Sequence, residues 1–257
     1  MRKYRLVKYF LKAFLVGSII LITGLQQNSN AQIIRKSLIE FYSSDSLLIS
    51  ADHYFSSREN PYIILFHREG SSRGEFEAIA ERFVKMRFNC LAVDMRNGDN
   101  FGFVNNKTAA RAKEMNIDTD AKAELDVLAA IDYISQISQQ SVVLLGSSYS
   151  ASLCLKIATE NDSVRAIMTF SPGEFFRPQL TLNEIFQLLD QPVYIACNTA
   201  EYPFLLEAVE GIDSENLTLV KPPENAENRG VGLLSDNNPV SDIYWLSVLI
   251  FIKSLQN

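Results

Sequence analysis

The segment Val142-Val143-Leu144-Leu145 runs into Gly146-Ser147-Ser148-Tyr149-Ser150, an apolar strand that enters a sharp turn and then a helix. In such a junction the central serine takes strained backbone angles that lift its hydroxyl above the sheet, within reach of an acyl carbon. Gly146, two residues before it, and the small Ser150, two after, leave room for the helix to pack under the strand; Ser150 stands where glycine is usual. A row of serines at a helix start is also plain N-cap chemistry. A nucleophilic hydroxyl needs a base to take its proton. The chain has two histidines, His53 and His67, and both precede Ser148. Cys90, Cys154 and Cys197 lie in apolar segments and read as buried thiols. No CxxC or HxxxH spacing occurs, so neither a metal nor another cofactor is expected.

The elements that must position Ser148 are legible from periodicity. Residues 37–42 and 46–55 read as two strands joined by the Ser43-Ser44-Asp45 turn, a hairpin. Tyr62-Ile63-Ile64-Leu65-Phe66 is a continuous apolar run, as expected of a strand buried on both faces. Strands and helices then alternate. Helices are expected over 75–87, from Asp120, over 148–159, 182–189 and 201–209; strands over 89–93, 142–145, 164–170, 192–197 and 217–220. Residues 97–108 read as an Asn-rich loop. A last helix shows Val240, Ile243, Tyr244, Leu246, Val248, Leu249 and Ile252, a wide apolar stripe expected to dock on the sheet. The pattern implies a three-layer α/β fold, a mostly parallel sheet preceded by an antiparallel hairpin, with helices on both faces. Ligands bind beyond the C-terminal strand ends of such sheets, so the loops after Phe66, Val93, Leu145, Phe170 and Cys197 matter most.

Arg2, Lys3, Arg5, Lys8 and Lys12 precede the apolar run Ala13 to Leu25. Ser29-Asn30-Ala31 then offers small residues at −3 and −1, so residues 1–31 read as a signal peptide and residues 32–257 as one exported domain. An uncleaved membrane anchor is the alternative. A hydrophobic share of 47% and a charged share of 21% are those of a globular chain with a sizeable core. The net charge of −6 includes the basic leader, which argues against nucleic acid or an anionic membrane as partner and leaves a small molecule.

The order of elements resembles the α/β-hydrolase fold, in particular its dienelactone-hydrolase-like and small esterase branch. The resemblance spans nearly all of residues 32–257. It rests on Phe66-His67-Arg68-Glu69-Gly70, Ser72-Arg73-Gly74-Glu75, Ala92-Val93-Asp94-Met95-Arg96, Gly146 to Ser150, and Phe170-Ser171-Pro172-Gly173-Glu174. It implies Ser148 as nucleophile. It also implies an oxyanion hole from the N–H of Tyr149 and that of Arg68 or Glu69. His67 then matches a histidine that is usually structural, with the role of substitute base as the alternative. The acid falls to Glu201, one position late after Cys197, or to Glu174. Arg229-Gly230 falls where the family carries His-Gly, and arginine stays protonated at neutral pH. Three readings remain open: a serine hydrolase acting on an ester or related acyl substrate, a relative that binds a small anion in the former cleft, or a non-catalytic scaffold.

Overall fold

A computed structural model describes residues 34–117, 120–212 and 215–255. The expected leader, residues 1–31, lies outside them. Residues 34–257 form one compact unit. Its centre is an eight-stranded sheet: β1 Arg35–Tyr42, β2 Leu48–Phe55, β3 Tyr62–Phe66, β4 Asn89–Val93, β5 Val142–Ser147, β6 Val164–Phe170, β7 Val193–Ala196 and β8 Leu217–Leu219. The strand order is β1-β2-β4-β3-β5-β6-β7-β8. β1 and β2 form the antiparallel hairpin, β2 is antiparallel to β4, and every pairing from β4 through β8 is parallel.

The helices are α1 Glu77–Lys85, α2 Lys107–Glu114, α3 Ala123–Ile137, α4 Tyr149–Ala158, α5 Leu182–Leu188, α6 Tyr202–Ala208 and α7 Ser241–Ser254. Successive side chains of a strand point to opposite faces, so each inner strand feeds two cores. Ile64, Phe66 and Leu144 pack with α3, α4, α5 and α6; Ile63, Leu65 and Leu145 pack with α1 and α7. That division makes the three layers.

Two expectations are corrected. The Asn-rich loop ends in a helix, α2: Asn106 caps it by accepting from the Ala109 N–H, and Thr108, Ala109 and Ala112 form its buried face. Such small side chains give a weak periodic signal. The apolar stripe of α7 does not dock as a whole. Tyr244, Trp245, Val248, Phe251 and Ile252 face the sheet, whereas Ile243, Leu246 and Ile250 are exposed. Among the described residues no helix is long and apolar enough to cross a membrane.

Candidate active site

The β5–α4 junction holds Ser148 at φ 54° and ψ −118°, a left-handed conformation unusual for a residue with a side chain. Its hydroxyl makes no capping bond, so the N-cap reading does not describe it. The Ser148 N–H instead donates to Phe170 O at 2.8 Å, which draws the turn against β6. The glycine at 146 is forced by contact: a Cβ there would lie 2.4 Å from Ser150 O and 2.6 Å from Ala151 N. Ser150 does more than replace a glycine. Its Oγ donates to His67 O at 2.6 Å and ties the loop after β3 to the start of α4.

His67 is fully buried, and both ring nitrogens are occupied. Nδ1 lies 2.7 Å from Arg68 O and so carries the proton; Nε2 accepts from the Met95 N–H at 2.9 Å. Asn106 Nδ2 lies 3.2 Å from the same Nε2. Desolvation pushes the ring pKa down to about 4. A ring held by three loop groups has no free lone pair for Ser148, so the role of substitute base has no geometric support. His53 lies on β2 with Nε2 2.9 Å from the Tyr62 hydroxyl, a packing contact.

The loop after β8 brings Arg229 and Glu201 together, with Arg229 Nε donating to Glu201 Oε1 at 2.6 Å. The other carboxylate oxygen, Oε2, accepts from Ser171 Oγ at 2.6 Å and from the Asn198 N–H at 3.2 Å. Ser171 in turn accepts from the Gly230 N–H at 2.8 Å. The Val231 N–H donates to Ser147 Oγ at 3.1 Å, which seats this loop directly on the elbow. Gly230 has φ 56°, and a Cβ on it would lie 2.3 Å from Ser147 Oγ. Ser171, like Ser148, is a non-glycine residue at positive φ, here 57°. Two strained serines at neighbouring strand ends mark this corner as over-determined by its surroundings.

The expected oxyanion donors fare unequally. Tyr149 opens α4, where the first N–H groups of a helix lack intrahelical acceptors; its hydroxyl is anchored on Asp120 O at 3.0 Å. The Arg68 N–H is already used, donating to Glu75 Oε2 at 3.1 Å. Of the two donors expected on this loop, that leaves the Glu69 N–H. Glu174 is engaged by Arg177 and by the Leu182 N–H, whereas Glu201 is the carboxylate that meets Arg229. One hollow borders the elbow at Tyr149 and another borders the loop after β8 at Arg229; Ser148 lines neither. The first, of about 330 Å³, is walled by Glu69, Asp120, Glu124, Tyr149, Phe175 and Phe176. The other, about 760 Å³, includes Arg68, Glu75, Arg82, Phe101, Arg229 and Trp245. Among the described residues no cluster of His, Cys, Asp and Glu could hold a metal ion. Asn198 carries no motif that marks it in the sequence, and Ser147 and Glu75 lie in segments that carried the family resemblance without a role of their own. Ser171 lies in a segment that carried the family resemblance, but without a role.

No family model matches the sequence, and no curated protein does. Solved structures do match in shape. The Pyrococcus furiosus esterase Pf2001 superposes with a TM-score of 0.66 at 14% identity, over 87% of this chain and 92% of that one. A putative dienelactone hydrolase from Klebsiella pneumoniae gives 0.65 at 12% identity, over 85% and 98%. A dienelactone hydrolase from Anabaena variabilis gives 0.61 at 14% identity, over 86% and 98%. The fold is that of an α/β-hydrolase of the dienelactone-hydrolase type. At such identities the likeness is one of fold, and chemistry must be argued from the side chains.

Proposed function

We propose that this α/β-hydrolase-fold protein binds a small carboxylate-type ligand over Ser148 and turns acyl substrates over slowly or not at all. One observation carries the reading: the Arg229 guanidinium sits on Glu201 through Nε, at the position where the fold usually carries its base. A guanidinium does not give up its proton in water, so it cannot accept one from Ser148. Its side chain is 72% exposed, and the Nη groups remain to meet an anion bidentately. The Tyr149 and Glu69 N–H groups would complete the cradle. The protein is further read as exported after cleavage at Ala31, with a small molecule as partner.

The serine-hydrolase reading is the second one, and the backbone of Ser148 favours it. Strain of this kind costs roughly 1–3 kcal/mol and is concentrated at functional sites. Ser148 would then act as nucleophile with oxyanion stabilisation alone, which in triad enzymes leaves about 10³–10⁴-fold catalysis over water. A fluorophosphonate probe separates the two. Binding without catalysis predicts no labelling of wild type, together with saturable butyrate binding that weakens in Arg229→Gln. Labelling of wild type but not of Ser148→Ala would establish the hydrolase reading instead.

A further inference from the structure

Arg165 is the second residue of β6, at the end of the sheet opposite Ser148. There the starts of β6, β7 and β8 meet the last turn of α7 around a cleft of about 400 Å³, walled by Arg165, Pro192, Glu215, Thr218, Phe251 and Leu255. Other arginines that are buried or half-buried are matched. Arg73 lies between Asp52 and Asp94, Arg96 between Asp45 and Asp126, and Arg111 on Glu40. Arg82 lies over the Trp245 ring. Arg165 has no ion pair among the described residues, and its Nε–H is shielded from solvent without an acceptor. Burial depresses its pKa, and no carboxylate raises it again. Glu215 borders the cleft but forms no ion pair with it. The carbonyl end of α7 offers only a partial charge.

Arg165 is half-buried and lines the cleft without a counter-ion among the described residues, so the open part of its guanidinium is what a ligand in the cleft would meet. We propose that Arg165 and this cleft bind a small carboxylate with a short apolar tail, taken from solution. The guanidinium fork matches a carboxylate bidentately, and Pro192, Phe251 and Leu255 supply a wall for the tail. The site is independent of Ser148 and Arg229.

The test is calorimetric titration of the full chain with sodium butyrate, and separately with inorganic phosphate, at matched ionic strength. In Arg229→Gln, where butyrate binding over Ser148 is weakened, a second butyrate site is expected to remain and to weaken at least tenfold when Arg165→Met is added, with phosphate binding there more weakly than butyrate. Arg165→Lys keeps the charge without the fork and is expected to lie between; it decides the matter if Arg165→Met fails to fold. Without ligand, Arg165→Met is expected to melt no lower than wild type, since it removes an unsatisfied donor. Butyrate binding to Arg229→Gln that stays unchanged when Arg165→Met or Arg165→Lys is added would overturn the proposal. So would binding that appears in Glu215→Gln but not in wild type, because Glu215 would then be an internal counter-ion. Phosphate binding tenfold tighter than butyrate would overturn the choice of a tailed carboxylate.

Discussion

Replacing Arg229 by histidine asks whether the loop after β8 holds the position of a catalytic base. Glu201 is already fixed there by Ser171 and Asn198, so the acid needs no building. The reach of the new side chain limits the gain. Arginine meets Glu201 through Nε, four bonds from Cα, at 2.6 Å. Histidine Nδ1 is three bonds out, so the gap to the carboxylate opens by up to about 1.5 Å, one bond length. A well-placed general base contributes about 10²–10⁴-fold. With imperfect support from Glu201, Arg229→His is expected to raise kcat/KM for p-nitrophenyl butyrate by roughly 10–10²-fold, the low end of that range or below. The gain should grow as pH rises through the histidine range near about 6.5, because only the neutral ring accepts a proton. It should vanish in Arg229→His/Ser148→Ala. A gain that survives loss of Ser148 would refute the reasoning, since the new imidazole would then be acting by itself. No gain in a folded variant would place Arg229 away from the vacated base position.

Gly230→Ala is expected to destabilise the fold by roughly 1–3 kcal/mol in urea unfolding, because alanine is strained at φ 56° and its Cβ meets Ser147 Oγ; a neutral result would mean the loop does not rest on the elbow. Ser150→Ala removes the bond to His67 O and should cost about 1–2 kcal/mol, with a stability equal to wild type counting against that tie. His67 has a folded pKa of about 4, below its unfolded value of about 6.5. Its contribution is therefore complete above about pH 6.5 and is lost as pH falls from there toward 4, by up to about 2 kcal/mol at pH 5. Buried carboxyls such as Asp126, pushed up to about 6 by desolvation, act in the opposite sense. The readout is thus the difference between wild type and His67→Gln at pH 7.5 and pH 5. An equal loss in both proteins would remove His67 from the account.

Much of this protein follows from its sequence. Strand runs such as residues 62–66 and 142–145 announce themselves because a strand buried on both faces must be apolar throughout. Gly146 and Ser148 mark the elbow because close packing under a sharp turn restricts residue type locally. Equally legible is that neither histidine follows Ser148, and that Arg229 stands where the family resemblance sets a base. Helix α2 escaped because its buried face is made of threonine and alanine, and the outward face of α7 escaped because leucine and isoleucine on both sides of a helix hide which side packs. The tertiary structure alone decided the pairings. Glu201 rather than Glu174 meets Arg229, Glu75 takes the Arg68 N–H, both His67 nitrogens are claimed by loop groups, and Arg165 has no ion pair among the described residues. Periodicity and turn chemistry act over a few residues, so they can be read in order along the chain. Which carboxylate reaches which donor depends on loops brought together from 28 residues apart for Arg229 and Glu201 to 84 for Val231 and Ser147, a choice made only when the sheet closes.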